Sequence, residues 1–153
     1  MNYEKHFLII TFIIIVACST TKTTQAVTSK EENKAGNDIY LINDIWLLET
    51  INGTAIKKAG EGNKTPQLEI HVKDMRALGN DGCNQISGSL KTLNEKNITF
   101  GMMMSTRMMC PDMRTSAQFL KAIEQVTHHK IEKLKLYLFD ASGTELLQFK
   151  KID

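Results

Sequence analysis

The sequence predicts an α+β fold in which a curled antiparallel β-sheet, forming a partly open barrel, carries one amphipathic α-helix packed on it. Short runs of alternating apolar and polar residues, typical of half-buried strands, recur along the chain. A single segment changes to helical spacing. Because strands precede and follow that segment without alternating with further helices, the pattern favours an antiparallel sheet over a parallel α/β sheet.

The first part of the globular region is predicted to form a series of strands. Residues 46–51 end at the turn signal Asn52-Gly53, and apolar and polar residues alternate over 68–72. Gly and Asn then separate short runs that predict further strands at 75–78, 86–90 and 98–100.

The helical pattern begins near Thr115 or Ser116, either of which could cap the helix N-terminus. Its apolar face is predicted to comprise Phe119, Leu120, Ile123 and Val126. Its polar face is predicted to comprise Gln118, Lys121, Glu124 and Gln125.

After His128-His129, the chain is predicted to end in a hairpin. Apolar and polar residues alternate over 133–138, with Leu134, Leu136 and Leu138 facing the core. A turn is predicted at 140–143, followed by a return strand that contains Leu147 and Phe149.

The N-terminus predicts a lipoprotein signal peptide over residues 1–17. Lys5 precedes an apolar stretch from Phe7 to Ala17, which is shorter than the roughly 20 residues of a membrane span. Small Ala17 stands before Cys18, whose thiol is the predicted lipidation site. Several acyl chains on one residue would anchor the chain to a membrane, and the predicted location is the cell envelope, at the outer membrane facing the periplasm.

Residues 18–38 are rich in Thr, Ser, Lys, Glu and Gln and predict a flexible tether. Residues 39–153 have the length of one domain, and we expect a monomer. The formal net charge is +2, and lysines are scattered among acidic residues. This distribution excludes the basic footprint of a nucleic-acid-binding protein.

Two cysteines, Cys83 and Cys110, remain once Cys18 is assigned to lipid. An even pair in an oxidising compartment favours a disulfide between them. Two buried thiols are the alternative. A redox-active cysteine is less well supported, because the chain lacks a Cys-x-x-Cys motif and a histidine beside either cysteine.

Methionines crowd the stretch around Cys110. The group comprises Met102, Met103, Met104, Met108, Met109 and Met113. We expect them to pack into the core, because methionine fills irregular gaps and alternate residues of a strand face inward. The alternative is a Cu(I) site, since thioethers and thiolates select soft metals. Its candidate ligands are Met102, Met104, Met108 and Cys110, with His128 and His129 as possible additions.

The order of motifs along the globular region resembles the META domain, also called the HslJ-like domain. The resemblance rests on Trp46, Asn52-Gly53, the run Gly79-Asn80-Asp81-Gly82-Cys83-Asn84, Ser87-Gly88-Ser89, Ile98-Thr99-Phe100, Thr106-Arg107-Met108-Met109-Cys110, Phe119-Leu120-Lys121-Ala122-Ile123, Leu134-Lys135-Leu136, Gly143 and Phe149. It implies an envelope lipoprotein linked to stress or antibiotic tolerance, in a family with no agreed biochemical activity. Within the run at 79–84, Gly82 and Asn84 are the residue types that irregular turns require.

No nucleophile with a partnered base, phosphate loop or zinc motif is evident in the sequence, so we expect no enzymatic activity and no cofactor. A non-catalytic binding role in envelope integrity is the predicted function. One alternative is a module for a small hydrophobic ligand, held in a cavity lined by Leu134, Leu136, Phe119 and methionines. The other is a protein-interaction module, for which a filled core and an exposed apolar patch would be evidence.

Overall fold

The computed structural model describes residues 39–57 and 60–152. The predicted signal peptide, the tether and Cys18 lie outside the described residues. Within the described part of the chain, no helix has both the length and the apolar character needed to cross a bilayer.

The described residues form ten strands, one α-helix and a short 3-10 helix at Ile39–Ile42. The helix, α1, spans Arg114–Gln125. The strands are β1 Ile45–Ile51, β2 Thr54–Ala55, β3 Gln67–His71, β4 Arg76–Asn80, β5 Gln85–Leu93, β6 Ile98–Phe100, β7 Met104–Ser105, β8 His128–Glu132, β9 Lys135–Phe139 and β10 Glu145–Ile152. The predicted α+β class is confirmed.

All strand pairs of this sheet are antiparallel, in the order β6-β5-β4-β3-β1-β10-β9-β8, with β2 paired to β1 and β7 to β5. The two ends of this order meet at a seam. Asn97 forms a bridge with His128, and the backbone N–H of His129 donates to the carbonyl of Lys96 at 2.8 Å. The N–H of Ile98 donates to the carbonyl of Thr127 at 3.1 Å. The curled sheet therefore closes nearly into a barrel.

Inward-facing apolar side chains fill the space between the sheet and α1. In β3, Leu68 and Ile70 are buried while the residues between and beside them are half-buried, as alternation requires. Phe119 of α1 is fully buried and meets Phe149 of β10 edge to face. The indole N–H of Trp46 donates to the carbonyl of Ile42 at 2.9 Å, which satisfies its one polar atom inside the core.

Three local predictions were wrong. Thr115 and Ser116 both lie inside α1 rather than capping it. The cap position is Met113, and Asp112 Oδ1 accepts the N–H of Arg114. His128 and His129 begin an unpredicted strand, β8, ahead of the predicted hairpin. Leu134 is 66% exposed in the β8–β9 turn, because Lys133 adopts a positive φ of 57° there and ends the alternation.

His129 makes the seam sensitive to pH. Its Nε2 lies 2.7 Å from the carbonyl oxygen of Asn94, so Nε2 carries the proton, whereas Nδ1 is buried without a hydrogen-bond partner. Burial lowers the pKa of His129 below its ordinary value of 6.5, and the bond to Asn94 opposes this shift. Because the folded chain binds this proton less readily than the unfolded chain, stability is lost as pH falls below 6.5.

We therefore expect the urea midpoint of unfolding to decline between pH 7 and pH 5. The His129→Gln variant, which can keep a donor for Asn94, should show a shallower decline. The exposed neighbour His128 provides the matched control, His128→Gln, which should follow the parent. Parallel pH profiles for the parent and His129→Gln would show that His129 does not cause the loss of stability at low pH.

Candidate binding surface

The turn between β4 and β5 is organised around a buried carboxylate. Asp81 is fully buried, and its Oδ1 accepts the backbone N–H groups of Cys83 at 2.9 Å and Asn84 at 2.7 Å. Asn80 Oδ1 accepts the N–H of Gly82, whose φ of +104° lies in the region that favours glycine. The predicted structural turn is present, and it fixes the direction of the Asn84 side chain.

Asn84 connects this turn to the methionine-rich segment, residues 101–110. Its Oδ1 accepts the backbone N–H of Met108 at 2.6 Å and the hydroxyl of Thr106 at 2.9 Å. The N–H of Thr106 also donates to the carbonyl of Gln85 at 3.0 Å. Because Asn84 is itself buried, these bonds hold the segment firmly against the start of β5.

A disulfide fastens the end of the same segment. The structure joins Cys83 and Cys110 in the predicted bond, across a sequence separation of 27 residues. At its other end the segment continues β6, and the N–H of Gly101 donates to the carbonyl of Ser89 at 2.7 Å. The backbone of residues 101–110 is therefore fixed at both ends and near its middle.

The methionine side chains mostly face outward, which contradicts the expectation that they pack in the core. Met102 and Met109 are 87% and 90% exposed, and Met104 and Met108 are 64% and 57% exposed. We call these four side chains the methionine surface. Met103 alone of the Met102–Met104 run packs against the core, over Gly88, where a Cβ would collide with its sulfur.

Strand geometry explains why most of these methionines face outward. Successive residues of an extended chain point to opposite faces, so three consecutive methionines cannot all be buried by one core. The inward positions beside this segment are already occupied by Ile86, Leu90 and Phe100 of neighbouring strands. Sequence reasoning missed this exposure, although the run Met102–Met104 and the pair Met108-Met109 contained the signal.

The proposed Cu(I) ligand set is not assembled as predicted. Cys110 is bonded to Cys83 and offers no thiolate, which leaves the thioethers of Met102, Met104 and Met108. His128 and His129 lie at the seam, where the rings contact Thr127 and Asn94. Over residues 39–57 and 60–152, no group of three or more His, Cys, Asp or Glu side chains is arranged to hold a metal ion.

The predicted hydrophobic-ligand cavity is also not formed by its named residues. Leu136 and Phe119 are fully buried in the core, whereas Leu134 lies in an exposed turn. A groove of about 710 Å³ instead lies on the outer face of the sheet. It is lined mainly by polar residues, among them Lys64, Gln67, Glu69, Gln85, Ser87 and Thr106, with Met104 at its side.

Charge is sparse along the methionine-rich segment. Arg107 is the single charged residue between 98 and 111. It is exposed and forms no ion pair with any residue that the structure describes. Beyond the disulfide, Asp112 is paired with Arg114 at 2.9 Å, which lowers the pKa of Asp112 to about 2. Arg107 is therefore a cation available to a partner.

Comparison with known proteins identifies the family. The protein-family model of the META domain matches residues 40–153. The chain belongs to the META domain family. Its expected resemblance to META domains is thus confirmed, and the buried turn at 80–84, the disulfide and the methionine surface are features of this META domain.

Two NMR structures support the fold. The META domain resembles an NMR structure of a protein from Burkholderia xenovorans, with 23% identity, a TM-score of 0.56, and coverage of 76% of this chain and 87% of that one. A second NMR structure has 21% identity, a TM-score of 0.54, and coverage of 71% and 89%. A crystal structure of a DUF4847 family protein from Bacteroides vulgatus has 12% identity, a TM-score of 0.49, and coverage of 73% and 96%. No curated protein matches the chain significantly.

Proposed function

We propose that the chain is a lipid-anchored protein of the bacterial cell envelope whose META domain binds another envelope protein through the methionine surface, without catalysing a reaction. The envelope location is supported by the signal-peptide pattern of residues 1–17 and by Cys18. The binding role is supported chiefly by one observation: four exposed thioethers stand on a backbone segment that a disulfide and Asn84 hold in place.

Exposure of these apolar side chains to water is unfavourable in free energy. A partner that covered them would remove this unfavourable contribution. Large apolar side chains left exposed within one short segment, here residues 102–109, are typical of interaction sites. Methionine suits such a site because its unbranched, polarizable side chain adapts to the shape of the partner. Since the backbone beneath is already ordered, binding would restrict mainly side-chain rotamers, which limits the entropic cost.

The chemistry of the surface favours an extended apolar segment that carries a carboxylate. Strand β7 pairs with β5 on one side, and among the described strands none pairs with its other edge. An extended peptide can add to such an edge through backbone hydrogen bonds while alternate side chains contact the protein. Met102 and Met104 lie on one side of this extended stretch, and Arg107 supplies the charge for an acidic residue.

A photo-crosslinking amino acid at position 104 of the full-length protein tests the proposal in cells. We expect one predominant adduct, identifiable by mass spectrometry. Purified partner should then bind the parent protein, and the Met102→Asp/Met109→Asp variant should bind it at least 10-fold more weakly, because each new charge must be desolvated at the contact.

Leu134 offers the matched control. It is an exposed apolar side chain in the β8–β9 turn, so a crosslinker at position 134 should give no equivalent adduct. Leu134→Asp should leave the affinity unchanged. Equal adducts from both positions, or equal affinities for the parent and the double variant, would refute a role for the methionine surface.

A further inference from the structure

The structure divides its seven described methionines into two chemically different groups. Four belong to the methionine surface, with at least half of each residue open to solvent. The other three are engaged. Met75 and Met103 pack against the core, and the Met113 sulfur accepts the N–H of Cys110 at 3.4 Å. The four exposed sulfurs are therefore open to soluble oxidants, whereas the engaged three are shielded by their neighbours.

The local fold does not depend on the exposed sulfurs. Residues 101–110 are held by the disulfide, by two bonds to Asn84 Oδ1 and by the bond from Thr106 to Gln85. None of these contacts uses a thioether of the methionine surface. A chemical change at the four sulfurs would thus alter the polarity of the surface while the backbone keeps its place.

We propose that the methionine surface is a reversible oxidation site for peroxides, and that its oxidation releases the partner. The thioether sulfur attacks one peroxide oxygen, and an S–O bond forms as the O–O bond breaks. The departing oxygen takes the proton of the transferred hydroxyl and leaves as water. Methionine and hydrogen peroxide thereby yield methionine sulfoxide and water, with the sulfur oxidised and the peroxide reduced by two electrons. Methionine sulfoxide reductases reverse the change, with two electrons supplied by a thiol reductant and the oxygen released as water.

Oxidation would act on the contact itself. Each sulfoxide replaces an apolar, flexible group with a polar one that must be desolvated when a partner covers it. Several such groups on one small surface should weaken an apolar contact by 10-fold or more. This regulation rests on the proposed protein-binding function, whereas the site of oxidation does not.

The first experiment measures the site alone. Full-length protein is titrated with hydrogen peroxide, and each methionine-containing peptide is quantified by mass spectrometry. We expect Met102, Met104, Met108 and Met109 to be oxidised before Met75, Met103 and Met113, with little change in the thermal unfolding midpoint. Equal rates for the two groups, or unfolding at the stage when the surface sulfurs react, would overturn the inference.

The second experiment measures release of the partner. Adduct yield from a crosslinker at Ser105, an exposed residue of β7 that carries no thioether and no charge, should fall at least 10-fold after peroxide treatment and return after incubation with sulfoxide reductases and their thiol reductant. In the Met102→Leu/Met104→Leu/Met108→Leu/Met109→Leu variant, peroxide should leave the yield unchanged. If peroxide does not alter the adduct yield of the parent, oxidation does not release the partner, and that part of the inference is overturned. Absence of an adduct before treatment would refute the proposed function and leave the oxidation site to the first experiment.

Discussion

Replacing Phe119 with alanine is expected to lower the free energy of unfolding by about 3–5 kcal/mol, as large cavities in well-packed cores do. Phe119 is fully buried, and its ring lies 6.2 Å from that of Phe149 at an angle of 81°. Helix α1 packs on β10, β1 and β6, so the cavity would open where the helix meets the sheet. Denaturant unfolding followed by the fluorescence of Trp46, the single tryptophan, measures the change.

The neighbouring residue Gln118 provides the control for Phe119. It is exposed on the same helix, so Gln118→Ala should change the free energy of unfolding by no more than about 0.5 kcal/mol. This pair separates the loss of packing from any change in helix propensity, since alanine replaces both residues. A loss below about 1 kcal/mol for Phe119→Ala would show that the helix is anchored elsewhere.

Strands with strict alternation could be predicted from the sequence because one of their faces is buried along its whole length. Leu68 and Ile70 are the inward residues of β3, as their spacing indicates. The turn of the first hairpin, between β1 and β2, could also be predicted from the sequence. Asn52 and Gly53 both adopt positive φ, at 49° and 71°, which matches the residue preference of a two-residue turn. In both cases, residue types within one short stretch of the chain determine the local structure.

Strand β8 could not be predicted in this way, because its one buried position is occupied by a polar residue. His129 is buried only because a carbonyl 35 residues earlier in the chain, that of Asn94, accepts its Nε2–H across the seam. Hydrophobic periodicity has no means of showing such a long-range partner. The barrel closure that β8 provides was therefore missing from the predicted sheet.

The disulfide was predicted correctly, but the orientation of the methionines beside it was not. The sequence singled out the methionines and the two cysteines, and parity of the cysteines favoured the bond that the structure contains. Whether each methionine faces the core depends on the space left by Ile86 and Leu90 of β5 and Phe100 of β6. The hydrophobicity of a residue indicates that its burial is favourable. It does not indicate whether the packed core has space for the side chain.

Removal of the disulfide is the second large expected effect. The Cys83→Ala/Cys110→Ala variant should lose about 3.5 kcal/mol of unfolding free energy on the chain-entropy estimate for a separation of 27 residues. Replacing both cysteines avoids leaving a reactive thiol beside the methionine surface. Unfolding of the parent protein in the presence of a reductant should reproduce the loss, and agreement between the two measurements would assign it to the bond.

The same variant should also loosen the methionine surface locally, which amide hydrogen exchange can detect. The N–H of Met108 is held by Asn84 Oδ1, and Asn84 directly follows Cys83, so loss of the bond should speed exchange at Met108 and Thr106 beyond the global effect. Amides of β9, on the far side of the sheet, should change only with global stability. Equal acceleration in both regions would mean that the disulfide stabilises the fold without ordering the binding surface.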